Sequence, residues 1–491
     1  MKYKLIMILS CLLCFVAVVT ASLVKDDNAV RYHQHVSAEP VTEKCTHDKN
    51  TFCTHLPLVI IDTDNFDIPG KSIADEEGNV TGYTTVNGQS EIISSINIID
   101  NSGKNNHIFD EADIKTRAYI NVRGNSSRSF DKSGYALRFV TESDENNTQK
   151  VMGMDAHHEW ILHGPFLDKS LIRNYMWYNI AGEIMDYSPN VRFCEVILNG
   201  EYNGLYVMCE SITAGKNGAR LNLSVDKKDN TFSGYLLRLD RGSATELKNI
   251  DTFSSYSLRN KMTLNIEYPG ISNLTEKIAR NINLDFSKFE KSLYSYDFDN
   301  EKYGYKKYID SDSFADYFLI NEFTCNYDAG WLSTFVYKDI DGKYRMCIWD
   351  FNSACDGYQE SMIFPNHFEM QNCLWYIMLI KDEDFTDRII SRYKELRKTY
   401  FSDGYLENYI DSTVEYLGDA IERNYEKWGY SFEEEYDMLE PAERNPRCHK
   451  EATEQIKTFI HKRGVWMDEN IEALRQYSKS SKIKKFDEDA N

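Results

Sequence analysis

The stretch that decides the fold is residues 316–352, DYFLINEFTCNYDAGWLSTFVYKDIDGKYRMCIWDFN. Two runs rich in β-branched and aromatic residues, Thr334–Lys338 and residues 343–349, flank the turn dipeptide Asp341-Gly342 and read as a hairpin. Asp328 stands just before the first strand and Asp350 at the end of the second. Two carboxylates thus bracket one hairpin. In a chain with 77 acidic residues that spacing alone is a weak signal, so the surrounding residues must carry the reading.

Around this hairpin the pattern from about residue 310 onward is helical. Long helical stretches are predicted over 384–428 and 450–476, with Phe459, Val465, Trp466 and Ile471 available for a core. Upstream the chain is strand-rich. Leu58–Asp62 and Ile92–Ile99 are apolar runs, and residues 117–122 and 135–140 alternate with period two. Asp168 is placed to open a helix carrying Ile172, Met176, Ile180 and Ile184 at spacings of four. Val191–Leu198, residues 199–204 and residues 205–210 read as strand, turn and strand, and Tyr235–Asp240 as one more strand. The expected fold is α+β and bilobal. A strand-rich lobe with one helix spans 56–240, and a mostly helical lobe containing the hairpin spans 241–480. A polar leader covers 22–55 and a charged tail 481–491.

Residues 1–21 read as a signal for export: Lys2 and Lys4 precede an apolar run that ends at Val19-Thr20-Ala21. That run is too short to span a bilayer, and no later one is long enough. A secreted or cell-surface protein without a membrane span is therefore expected. Cleavage would take the net charge from −21 to −23. Such acidity argues against nucleic-acid binding and favours a basic partner. Nine cysteines follow the signal, an odd and scattered set that does not read as a disulfide framework. Cys45-Thr46-His47 and Cys53-Thr54-His55 echo one another, and the expectation is a Cys45–Cys53 disulfide rather than a zinc site.

Three segments could carry chemistry. The order acid, hairpin, acid is how protein-kinase folds set a catalytic and a magnesium-binding carboxylate on either side of a transferring phosphate. The loop Arg123-Gly124-Asn125-Ser126-Ser127-Arg128-Ser129-Phe130-Asp131-Lys132 offers hydroxyls, guanidiniums and an ammonium suited to polyphosphate oxygens, although an exposed polar loop has the same composition. In the run from Trp160 to Asn174, Arg173 could reach a phosphate or equally pair with an acid of the fold. His157, His158 and His163 match no metal motif. Gly70-Lys71-Ser72 resembles the end of a P-loop but lacks its earlier glycine, and Asp62, Asp64 and Asp67 make an incomplete calcium loop. No serine-hydrolase elbow or zinc-protease pair occurs.

Taken in order, these pieces resemble the spore coat protein CotH kinase family, whose members are atypical, kinase-like proteins. The resemblance runs over roughly residues 56–475. It rests on Leu56-Pro57-Leu58-Val59, the 123–132 loop, Trp160 to Asn174, Leu198 to Tyr206 with Glu210, and Gly234-Tyr235-Leu236-Leu237. It ends with Asn321-Glu322, Asn326-Tyr327-Asp328-Ala329, Ser333-Thr334, Trp349-Asp350-Phe351 and a closing helix with Arg463. It implies binding of ATP with Mg2+, or Mn2+ in its place, and transfer of the γ-phosphate to Ser or Thr of a protein, with spore coat association in the family's name. Asp328 would be the catalytic acid. Asp350 would hold the metal with Asn352 and Asn326 in support. Arg123, Ser126, Ser127 and Lys132 would hold phosphates, and Arg173 and Glu210 would organise the nucleotide pocket. An acidic enzyme would favour a basic, Ser/Thr-rich protein substrate. The sequence departs from the family at 131–133, where Asp-Lys-Ser replaces the frequent Pro-Lys-Lys, and at Asn352, where Asp is frequent; Asn brings no charge to a metal. The same groups could support nucleotidyl transfer or ATP-driven amino-acid ligation, and a non-catalytic surface adhesin is the third reading. Oligomeric state has no signature in the sequence.

Overall fold

Period-two alternation dictates the first element of the architecture. In the computed structural model, residues 31–42, 45–46, 52–215, 220–242, 245–253, 262–339, 342–358, 362–434 and 437–478 are described. The signal 1–21, the tail 481–491 and Asp341 of the hairpin turn fall outside them. The described elements from Gln34 onward belong to one compact unit. Seven strands close a barrel: β1 (Leu58–Asp62), β2 (Ile92–Ile99), β3 (Ile114–Arg123), β4 (Gly134–Val140), β5 (Glu159–His163), β6 (Val191–Leu198) and β7 (Glu201–Glu210), in the order β5-β7-β6-β1-β2-β3-β4. Six of the seven pairings are antiparallel; β6 with β1 is parallel. Alternate residues fill the interior: Val59 and Ile61, Ile96 and Ile98, Ile120 and Val122, Leu137 and Phe139, Trp160 and Leu162, Val196, and Met208. Each such burial stabilises by about 1.5–3 kcal/mol, reduced by whatever the unfolded chain already buries.

Strands β6 and β7 are apolar on both faces because a helix covers the outside. Phe193, Leu205, Val207 and Cys209 pack there with α1 (Arg173–Ile184), which is buried almost all round. Sequence spacing opened this helix at Asp168. It begins five residues later because Leu171 takes a left-handed φ of 66°, although the Asp168 carboxylate still accepts from the Arg173 N–H at 3.1 Å. The predicted turn over 199–204 is tighter in fact. Asn199 and Gly200 have φ of 49° and 82°, the two-residue turn that suits strand twist, and β7 starts at Glu201.

The decisive hairpin forms as expected, from β11 (Thr334–Lys338) and β12 (Tyr344–Cys347). It extends a five-stranded sheet with β8 (Tyr235–Asp240), β9 (Asn249–Ile250) and β10 (Thr263–Tyr268), ordered β9-β10-β8-β11-β12. Helices α2 (Glu276–Leu293) and α3 (Ser311–Thr324) share the main core with this sheet. The stretch read as helical over 384–428 is three helices, α4 (Glu383–Leu396), α5 (Asp403–Leu417) and α6 (Asp419–Trp428). Ser402 caps the second, and Gly418 at φ 47° separates the third. α7 (His449–Asn470) is the last long helix among the described residues. The mixed helix and strand content is that of an α+β protein.

One contact of α7 reaches the centre. Arg463 and Glu322 are both fully buried and ion-paired. Arg463 also donates to the Glu322 and Pro365 carbonyls at 2.8 Å, while the Glu322 carboxylate accepts from the N–H of Glu369 at 3.0 Å and Met370 at 2.7 Å. Removing one partner strands a buried charge. Arg463→Ala should therefore cost about 3–5 kcal/mol in urea unfolding; a loss below about 1 kcal/mol would mean that the pair is solvated in solution.

Candidate active site

The barrel and the five-stranded sheet both contribute to a cleft of about 700 Å³, lined by 29 residues that include Arg123, Ser126, Ser127, Asp328, Asp350 and Asn352. The acids bracketing the hairpin and the basic loop at 123–130 thus share one cavity. A second hollow of about 710 Å³, lined by Asp285 and Lys338 among others, contains none of the sequence-predicted residues.

Each acid is held by the turn that carries it. Asp328 follows α3, whose end is set by Cys325 in the left-handed region (φ 44°), and its carbonyl accepts from Trp331 and Leu332 at 3.1 and 2.8 Å. Asp350 also has a left-handed φ, 58°, which aims it off the end of β12. Its N–H donates to the Tyr178 hydroxyl at 3.0 Å, and the next N–H, of Phe351, donates to Asn174 Oδ1 at 2.8 Å. Asn174 in turn donates to Asn352 Oδ1 at 2.6 Å, and Asn352 donates to Asp350 Oδ1 at 2.5 Å. α1 therefore fixes the Asp350 carboxylate through two amides. In this arrangement Asn352 commits its oxygen to Asn174 and orients Asp350 through its nitrogen.

Burial raises the carboxyl of Asp328 to about 6, and the neighbouring Asp350 charge adds to it, with Arg241 pulling the other way. Burial likewise raises Asp350, against the pull of Arg123. Asp240, at the end of β8, raises both. Three acids crowded in a low-dielectric cleft are a set that a cation would relieve.

On the facing side, the Arg123 guanidinium rests over Trp349, 5.4 Å from the ring centre, and has no hydrogen-bond partner among the described residues. The Ser126 and Ser127 hydroxyls are likewise uncommitted there. Arg128 instead braces the loop, donating to the carbonyls of Gly124 at 2.8 Å and Gly70 at 2.9 Å. Gly124 has φ +113°, and a Cβ there would lie 1.9 Å from Ser127 Oγ. The donor set and the acidic set together fit a cation and an anionic, phosphate-like group.

Four sequence-predicted residues do not line the cleft. Lys132 is buried elsewhere, its ammonium donating to the Leu205 carbonyl at 2.6 Å and Asn424 Oδ1 at 2.8 Å, so it ties β7 to α6. Burial pushes this amine well below its ordinary range. Arg173 pairs with Asp168 at 2.5 Å and donates to the Ala354 carbonyl at 2.7 Å, the structural option that its spacing left open. Glu210 accepts from the Asn190 N–H at 2.9 Å. Asn326 is buried against Asn321, its nitrogen 3.0 Å from Asn321 Oδ1, and its own Oδ1 has no partner among the described residues. Conversely, sequence reasoning missed Asp240 and Arg241. The β8–β11 pairing, Leu239 opposite Thr334, brings them to the hairpin, and the Asn125 amide, with its oxygen facing Arg241, links that strand end to the basic loop.

Fold and cleft define an α+β protein with a basic loop set against half-buried carboxylates. Residues 120–467 match the model of the family described as CotH kinase protein, and the chain belongs to that family. No curated protein matches the chain.

Proposed function

We propose that this member of the CotH kinase family is an ATP- and Mg2+-dependent protein kinase that phosphorylates Ser or Thr of a basic protein, exported by its N-terminal signal. The observation that carries this reading is the uncommitted Arg123 guanidinium opposite the acids Asp328 and Asp350 in one cleft. Bound ATP would supply the phosphoryl group, and Mg2+, or Mn2+, would neutralise charge on its oxygens.

Asp350, held by Asn352 and Asn174, is the carboxylate suited to the cation. Arg123 and the Ser126 and Ser127 hydroxyls hold phosphate oxygens by charge-assisted bonds. Asp328 orients the substrate hydroxyl and takes its proton as the oxygen bonds to phosphorus and the bond to the leaving oxygen breaks. Phe130, Phe166 and Tyr358 offer an apolar wall for a flat base. The barrel and the largely helical remainder act as the two lobes of a kinase-like arrangement.

Labelled ATP with magnesium and a Lys/Arg-Ser peptide tests the proposal. Mass spectrometry should find a single added phosphate; an added nucleotide or amino acid, or no transfer, rejects it. Gly124→Ala probes the loop independently. Its Cβ clashes with Ser127 and its φ suits glycine, so stability should fall by more than about 1 kcal/mol and thermal stabilisation by nucleotide should vanish. Unchanged nucleotide stabilisation would show that the loop does not hold phosphate.

A further inference from the structure

Away from the cleft, the short pairing Cys53–Thr54 with Asn106–His107 sets Cys53 directly opposite His107. Cross-strand partners project to the same face of a ladder, so thiol and imidazole are neighbours by backbone register alone. Cys45, from the preceding segment, adds a second thiol: its sulfur lies 3.2 Å from His107 Nε2, and the ligand atoms of Cys45, Cys53 and His107 all fall within 4.8 Å of one another. The expected Cys45–Cys53 disulfide is not present in the structure.

The other face of the imidazole is occupied. His107 Nδ1 lies 3.2 Å from the Asp110 carboxylate, which also accepts from the His107 N–H at 2.9 Å and from Asn101 Nδ2 at 3.2 Å. A carboxylate on Nδ1 fixes the tautomer that leaves the Nε2 lone pair facing the sulfurs, the arrangement that orients histidine toward a metal. The donor types and crowding match a tetrahedral site, in which sulfur and nitrogen at about 2.3 and 2.0 Å from the ion sit roughly 3.5 Å apart. A disulfide would use two of these groups and leave the Asp110-oriented imidazole without a role.

We propose that Cys45, Cys53 and His107 bind one thiophilic divalent cation, zinc foremost, with Asp110 orienting His107. Cys45 is exposed, so a fourth donor, water or a side chain, can reach the ion. Cys53-Thr54 runs on toward β1, so the ion pins the segment bearing Cys45 beside the barrel's first strand.

The full chain, purified without added metal, should retain close to one zinc per molecule after gel filtration. Replacing zinc with Co2+ should give a thiolate-to-cobalt charge-transfer band in the near ultraviolet. Cys45→Ser, at an exposed position, should reduce retained zinc several-fold and abolish that band, and Asp110→Asn should weaken zinc retention about 10–100-fold. Zinc-free protein of native mass with Cys45 and Cys53 refractory to alkylation until reduced would overturn the proposal in favour of the disulfide. Zinc retained unchanged in both Cys45→Ser and His107→Gln would overturn it by placing the ion elsewhere. Because these readouts involve no nucleotide, their failure leaves the kinase reading untouched.

Discussion

An Asp350→Ala variant is expected to lose at least about 10³-fold in phosphoryl transfer, ~4 kcal/mol of transition-state stabilisation, without losing stability. The two effects separate because the carboxylate is uncomfortable where it sits. Burial raises its pKa, with Asp240 adding to that, so its ionised form weighs against the fold at neutral pH. Its removal deletes that burden together with the proposed seat of the cation. The Tyr178 and Asn174 bonds go to main-chain N–H groups, so the β12 end keeps its supports. Steady-state transfer to a Lys/Arg-Ser peptide, paired with urea unfolding, checks both halves. Transfer at the wild-type rate would remove Asp350 from the chemistry.

Asp328→Asn should lower kcat by about 10²–10⁴-fold, the usual worth of a positioned proton acceptor, with little change in nucleotide binding. The pH profile gives a second readout. With its carboxyl raised to about 6, Asp328 is protonated below that pH, so wild-type kcat/KM should fall as pH drops through about 6, and the variant should lack that limb. The sign for stability is opposite. A carboxyl whose folded pKa lies above its unfolded value of 3.8 stabilises the fold when protonated, and this contribution disappears as pH rises from about 4 to about 6. Asp350→Ala, by removing the second-largest cause of the rise, should move the Asp328 titration to lower pH. Equal transfer by wild type and Asp328→Asn would end its role as base.

Much of this layout was legible in the residues, and the failures share a cause. Alternation along β3 and β4 announces half-buried strands because a pleated strand must choose faces, and the Asp-Gly hairpin announces itself by turn chemistry. The two cleft acids were found because they adjoin that hairpin in sequence. Lys132, by contrast, looks identical whether it faces a phosphate or the Leu205 carbonyl; its partners lie 73 and 292 positions away. Arg173 had two readings of equal weight, and only packing against Asp168 and Ala354 separates them. Asp240 and Arg241 carried a usable signal, an acid and an arginine side by side where an apolar strand ends, but their meaning depends on which strand lies next to β8. The parallel joint between β1 and β6 leaves no local trace, since it closes the barrel across more than 130 residues.

The Arg463–Glu322 pair has a consequence for how the polypeptide comes into being. The turn that presents Asp328 leaves α3 only a few residues past Glu322, and the carboxylate there lacks its guanidinium until α7, whose Arg463 lies 141 positions downstream, has been made. A chain of 440 residues would already contain every residue that lines the cleft, Met438 being the last, yet would lack the Arg463 guanidinium that secures the turn. The turn would thus be secured only once α7 is made, and if the proposed function holds, premature stop codons upstream of position 463 should yield inert products however much of the barrel they preserve.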